Sequence, residues 1–217
     1  MTTGTTSTSP KEVARMLGAI EGRIAIMSHV NPDADAIGST LGLTRGLCSF
    51  GKQAVAVLSD PVPEYARFLD GAGAIADRLP EQLTALVCVD AAGIDRVGTL
   101  YTDNQPLFER LPVLNIDHHR TNPLFGAVNY VDPHASSTSE MTYRLLVELG
   151  VPIDAGTANA LMFGIDGDTG SFRNGATTPG SLEVAAHLVS LGADTQQIAF
   201  QLFERKTFAG ARLWGQV

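Results

Sequence analysis

The chain has 217 residues, 44% of them hydrophobic, and a formal net charge of −8. That is enough apolar material for one full core, as a single domain or a domain with an appendage. An acidic protein with pI near 5.0 disfavours a duplex-DNA binder, which needs a basic face against the phosphates, although metal ions can still hold a phosphate substrate locally.

Residues 1–10 (MTTGTTSTSP) are small and polar and read as a disordered tail. They lack the basic start and apolar centre of a signal peptide, and no apolar run approaches the ~18–20 residues of a membrane-spanning helix. A soluble, cytoplasmic protein without membrane contact is the expectation. Pro10 suits the start of a helix over 11–20. IAIMSHV (24–30) has no alternation and reads as a strand buried on both faces. A helix over 36–50 follows, closed by Gly51, then a strand at 53–59 and a short helix near 64–69. TALVCVD (84–90) and PVLNIDHH (112–119) are further buried strands, with a shorter one at 126–132. From Ser137 the pattern is helical, over 137–149, 154–166, 179–191 and 195–213. Ser137 stands three residues before Glu140 as in a capping box. Cys48 and Cys88 lie in apolar stretches far apart, as two buried free thiols of a reducing compartment would.

Strands alternating with helices predict an α/β, doubly wound, mostly parallel five-stranded sheet flanked by helices. Ligands of such sheets bind beyond the carboxyl ends of the strands, and the polar clusters of this sequence fall there. His29, Asp33 and Asp35 follow the first strand, Asp90 the third, and Asp117, His118 and His119 the fourth. Asp166 and Asp168 end the apolar run LMFGI before a glycine-rich turn. Nitrogen and oxygen ligands in this number exceed one tetrahedral site. They suit two ions roughly 3.5–4 Å apart that clamp the attacking and leaving oxygens of a phosphoryl displacement. Mixed carboxylate and imidazole donors without thiolate point to Mn²⁺ ahead of Zn²⁺ or Mg²⁺.

In chain order, HVNPDADAIGS, VCVDAAG, NIDHHRTN and GIDGDTGSFRN resemble the four motifs of the DHH phosphoesterase superfamily, over essentially the whole chain. NPDADAIGS, the short spacing and SSTSE (136–140) are most similar to its NrnA-like branch. That branch comprises oligoribonucleases that also remove the 3′-phosphate of adenosine 3′,5′-bisphosphate. The resemblance implies that His29 and Asp33 bind a first Mn²⁺, that Asp35, His118 and Asp168 bind a second, and that Asp90 bridges them. Mg²⁺ or Co²⁺ would be the substitutes. His119 would contact the substrate phosphate and Asp117 would orient the histidine pair, giving Asp90, Asp117 and His119 the catalytic roles. A water shared by the two ions would lose a proton near neutral pH and attack phosphorus in line.

Ser39, Arg120 and Arg173 are the candidate substrate contacts, with Thr40 and Asn174 beside them. N-capping explains Ser39 and Thr40 equally well, and surface placement explains the arginines. Asp166 reads as an outer carboxylate or a solvated surface residue, and His134 and His187 as structural or exposed. Members of the branch carry a second domain, DHHA1, with a GGGH-type motif. No such motif is present here, so residues 11–194 are expected to form the catalytic domain and 195–217 a linker helix toward that domain, with Trp214 as an anchor. The partners implied are short single-stranded RNA or a phosphonucleotide, with room for a homodimer. The competing readings are a cyclic-dinucleotide phosphodiesterase acting on c-di-AMP or pApA, a pyrophosphatase, and a non-catalytic nucleotide-binding module.

Overall fold

The apolar runs lack alternation because both faces of the sheet they form are covered. In the computed structural model, which describes residues 7–205, five strands pair in parallel in the order β2-β1-β3-β4-β5. They are β1 (Arg23–Met27), β2 (Gln53–Val57), β3 (Leu83–Val89), β4 (Val113–Asp117) and β5 (Val128–Val131). Ile24, Ile26, Val87, Val89, Leu114 and Ile116 point into one core layer. Ala25, Met27, Leu86, Cys88 and Val113 point into the other. The first layer is closed by α1 (Pro10–Ala19), α2 (Ala34–Ser49), α5 (Thr138–Glu148) and α6 (Ala155–Thr169), extended by α7 (Pro179–Ser190) and α8 (Thr195–Ala199). The second is closed by α3 (Thr99–Thr102) and α4 (Gln105–Arg110) through Leu100 and Phe108. Among the described residues, no helix is long and apolar enough to cross a membrane.

In this strand order the direction of winding reverses between β1 and β3, which sit side by side. The crevice at their carboxyl ends is the ligand-binding place of such sheets.

Several elements differ from expectation in informative ways. Ser7 exchanges hydrogen bonds with the backbone of Val131, and Thr8 N–H donates to Asn129, so this part of the expected tail lies along the edge of β5. Ser9 caps α1. β1 stops at Met27, which leaves His29 two residues beyond the sheet. α6 runs on to Thr169, with Gly170 as its left-handed cap, so Asp166 and Asp168 belong to its last turn and not to a following loop. At α5 the capping box is only half formed. Ser137 accepts from Glu140 N–H, but the Glu140 carboxylate accepts from the amide and hydroxyl of Ser136 instead. The expected 195–213 helix narrows to α8 and a π-turn at Phe200–Glu204; the rest of that segment, with Trp214, lies outside the described residues. Cys48 is exposed, against expectation, while Cys88 is buried and its thiol is pushed up to about 12 by that burial.

The packing that matters most for the site is between α2 and α6. α2 presents Gly38, Gly42 and Gly46, four residues apart and therefore on one stripe. A Cβ at Gly38 would stand 2.5 Å from the Ala160 carbonyl and 2.8 Å from Gly164 N, both backbone atoms that cannot move without separating the helices. Overpacking of this kind costs ~1–3 kcal/mol. Gly38→Ala should therefore lower the free energy of unfolding by about 2 kcal/mol in a urea titration. Gly73→Ala, whose Cβ would meet nothing within 4 Å, should leave it within about 0.5 kcal/mol. Equal midpoints for the two variants would show that the helices have room to spare.

Candidate metal centre

Each ligand candidate is delivered by the end of a regular element. After β1 the chain turns at Asn31, which adopts φ 52° and donates its N–H to Asp60 at 2.6 Å. Asp33 then caps α2, one carboxylate oxygen accepting from Asp35 and Ala36 N–H at 3.0 Å each. Asp35, one residue into that helix and 1% exposed, is gripped from across the site. Its two oxygens accept from the N–H groups of Thr138 (2.6 Å) and Ser139 (2.8 Å) in the first turn of α5, where the helix dipole favours a carboxylate. Asp90 follows β3 directly, in the left-handed region at φ 53°, where a non-glycine residue is strained. Its N–H donates to Ile116 and its Oδ1 accepts from the Thr138 hydroxyl at 3.1 Å.

These side chains converge into two triads that share no residue. The donor atoms of His29, Asp33 and Asp90 lie within 4.8 Å of one another, and so do those of Asp35, His118 and Asp168. Asp90 faces both. Its Oδ2 is 3.6 Å from His29 Nε2, and its Oδ1 is 3.7 Å from His118 Nε2. His118 Nε2 also stands 3.3 Å from Asp168. His29 donates Nδ1–H to the Val30 carbonyl at 2.8 Å, which leaves Nε2 toward the carboxylates. An all-nitrogen-and-oxygen set with one carboxylate between two triads fits a pair of divalent cations.

The two adjacent histidines are distinguished by their partners. His119 Nδ1 is committed to Asp117 at 2.7 Å, while His118 turns Nε2 to Asp90 and Asp168. Asp117 also accepts from His118 N–H at 2.9 Å and from Asn122 at 2.6 Å. Asn122 continues into a buried amide network with Asn115 and Asn129. The sequence reading missed these three residues; the polar side chains of Asn115 and Asn129 on two otherwise apolar strands were the available signal.

His119 and Arg120 line a cavity of about 580 Å³ beside Asp90, Asp33 and Asp168, and His134, first read as structural or simply exposed, lines it too. Ser39 does not reach it. It is fully buried and donates to the Asp35 carbonyl, one turn back in its own helix, at 2.6 Å. Thr40 is buried as well. Arg173 binds the Gly170 carbonyl and lies 5.1 Å over the Phe203 ring, and Asn174 holds the Asp168 carbonyl at 2.8 Å. Asp166 is 3% exposed, not solvated, and stands outside the two triads; burial pushes its carboxyl up. His187 is exposed and bonded to Tyr143.

Without ions the cluster opposes itself. Burial, then the charges of Asp90 and Asp168, push the Asp35 carboxyl well up. Burial, then Asp90 and Asp33, raise Asp168 to about 8. Burial works against charge on His29, but hydrogen bonds to Asp33 and Asp90 outweigh it and raise the imidazole to about 10. A carboxylate raised from 3.8 to about 8 penalises the folded state increasingly as pH climbs between those values. An imidazole raised from 6.5 to about 10 stabilises fully below the lower value and loses that contribution on the way to the upper one. Asp33 is shifted the opposite way, down from 3.8, so its effect lies in acid. The metal-free protein should therefore lose melting temperature steadily from pH 6.5 to 9, and saturating Mn²⁺ should restore it most at the alkaline end. A flat chelated profile over that range would contradict this charge balance.

The geometry agrees with what the chain is similar to. The model of the DHH family, N-terminal domain, matches residues 23–165. A bifunctional oligoribonuclease and PAP phosphatase NrnA from Thermus thermophilus is 42% identical over 208 residues, 94% of this chain and 61% of the relative. A cyclic-di-AMP phosphodiesterase GdpP from Geobacillus thermodenitrificans is 31% identical over 198 residues, 83% of this chain and 30% of the relative. The crystal structure of an exopolyphosphatase-related protein from Bacteroides fragilis superposes with a TM-score of 0.86 at 25% identity, covering 96% of this chain and 64% of that one. The chain thus spans less than two thirds of the length of these relatives. The family model nevertheless covers well over half of the chain, and the chain belongs to the DHH family.

Proposed function

We propose that this chain is the metal-bearing part of a Mn²⁺-dependent phosphoesterase that hydrolyses short oligoribonucleotides and the 3′-phosphate of adenosine 3′,5′-bisphosphate. One observation carries the reading: the two oxygens of Asp90 face different imidazoles, His29 at 3.6 Å and His118 at 3.7 Å, each belonging to its own triad. Similarity to the Thermus thermophilus NrnA supports the substrate class.

In this reading His29 and Asp33 hold one ion, Asp35, His118 and Asp168 hold the other, and Asp90 serves both. When bound, the ions supply a hydroxide nucleophile at neutral pH and neutralise charge on the phosphoryl oxygens. The chain's own groups do the positioning. Thr138 fixes Asp90, and the α5 amides fix Asp35. Asp117, held in turn by Asn122, fixes His119 as a donor beside the phosphate, stabilising oxygen charge as it gathers. Arg120, on the wall of the same cavity, is placed to meet a further phosphate oxygen, since its guanidinium matches such oxygens in a fork. Arg120 gives this cavity a fixed positive charge beside its carboxylates.

A second reading, hydrolysis of a cyclic dinucleotide, is favoured by the similarity to GdpP, and the two separate in one assay. With Mn²⁺ added, the chain should release mononucleotide from a diribonucleotide and phosphate from adenosine 3′,5′-bisphosphate, and should act more slowly on cyclic di-AMP. Preference for the cyclic substrate would exchange the two readings, and bound metal with no turnover of any of the three would remove both. Asp90→Ala should lower kcat by at least three orders of magnitude while the far-ultraviolet circular dichroism is retained; near-normal turnover would end the two-ion assignment. Thr138→Val removes the hydroxyl donor to Asp90 and should weaken Mn²⁺ binding about tenfold, as loss of partners behind a ligand does, measurable by metal titration.

A further inference from the structure

A second cleft, of about 400 Å³, shares only Asp33 and Asp168 with the histidine-lined cavity. Its other walls differ in kind, being built from Tyr65, Leu202 and Phe203, with Glu64, Gln201 and Arg205 at the polar edge. Tyr65 is held from behind, its ring 6.0 Å from that of Phe163, on which Phe68 packs edge-on at 5.6 Å. Phe203 leaves 41% of its surface exposed although it adjoins a charged centre. Arg205 pairs with the Glu64 carboxylate and also bonds the Glu64 carbonyl and Gln201. That ties the π-turn bearing Phe203 to the segment bearing Tyr65.

A phosphate alone has no use for such walls. An aromatic, partly apolar space that opens onto two carboxylates of an ion-binding centre suits a planar group joined through a short linker to a phosphate. Its volume lies within the ~300–1,000 Å³ of small-molecule sites. The histidine-lined cavity, with Arg120 and His134, offers cationic donors and no aromatic ring besides its imidazoles, so it suits phosphate and sugar oxygens. Stacking on tyrosine or phenylalanine is tolerant of base identity, because every base has a π-face.

We propose that this cleft is the subsite for the nucleobase on one side of the scissile phosphate, with Tyr65 and Phe203 as its stacking surfaces. The proposal rests on the phosphoesterase reading above. Gln201, whose side chain carries both a donor and an acceptor, meets the edge of the base without selecting strongly among bases. The substrate then lies across Asp33 and Asp168, its base in the aromatic cleft and its remaining oxygens toward His119 and Arg120.

The test compares diadenylate with two analogues, each lacking one of the two bases, at saturating Mn²⁺. The parent chain should show KM about tenfold higher for one of the analogues, as loss of a stacked base predicts. Tyr65→Ala should raise KM for intact diadenylate by a similar factor and add little for that same analogue, because the contact is already gone. Phe203→Ala, a change at a half-exposed position, serves if Tyr65→Ala melts early, and metal titration of both variants checks that the ion centre is intact. Equal penalties on intact and base-free substrates would overturn the subsite. If the parent chain cleaves no dinucleotide, the phosphoesterase reading fails separately. Competition between AMP and ribose 5-phosphate for the Mn²⁺-loaded chain then decides the cleft, and equal affinities would overturn it.

Discussion

Four carboxylates are gathered at one end of a parallel sheet, and their mutual repulsion is the constraint to which the surrounding structure answers. Asp33 and Asp90 belong to one cluster and Asp35 and Asp168 to another beside it, and Asp35 and Asp90 are almost wholly removed from water. A buried carboxylate needs hydrogen bonds or an opposite charge. The fold supplies the first: backbone amides at the start of α2 serve Asp33, those at the start of α5 serve Asp35, and the Thr138 side-chain hydroxyl serves Asp90. The imidazole of His29 supplies part of the second.

The helices can deliver these groups only because they approach unusually closely. Gly164 faces the carboxylate of Asp35 and the hydroxyl of Ser139, and Gly167 faces Ala34; a methyl group at either position would occupy the space of its neighbour. The glycines thus serve two ends at once, letting α2 and α6 touch backbone to backbone and leaving room for α5 to aim its amides at Asp35. Glycine in a helix interior costs roughly 0.5–1 kcal/mol against alanine. Here that loss is offset by close packing along the length of α2 and by the geometry of the centre.

The parallel five-stranded sheet and the place of the ligand candidates beyond its strands were legible because strand runs are buried on both faces and the ligands follow them; the order of the strands was not read. Boundaries and supports were less so. α6 is apolar on nearly every side, so no change of periodicity marks its end, and its glycines imitate a turn. The cap of α5 could be read from Ser137, but the carboxylate of Glu140 turned to Ser136 and Arg144, a choice made by tertiary neighbours. Ser39 looked available because it follows a ligand cluster, yet it is fully buried and spends its hydroxyl on the Asp35 carbonyl of its own helix. Asn115, Asn122 and Asn129 come from two strands and a loop, and only strand pairing brings them together. Cys48 is exposed because it ends its helix on the outer side, which the apolar letters around it hide.

The two triads are held by different kinds of structure, and this bears on how the centre works. Asp35 and His118 are fixed by elements that cannot shift independently: α2 and α6 are locked by glycine contacts, α5 caps Asp35, and β4 carries the histidine pair with its asparagine network. The other triad rests on the turn after β1, and the Asp33 side chain is 59% exposed against 10% for His29. Asp90, strained at positive φ, is the single link between them. Asp33 is thus the ligand candidate most open to solvent, and Asp33 and Asp168, one from each triad, face both cavities.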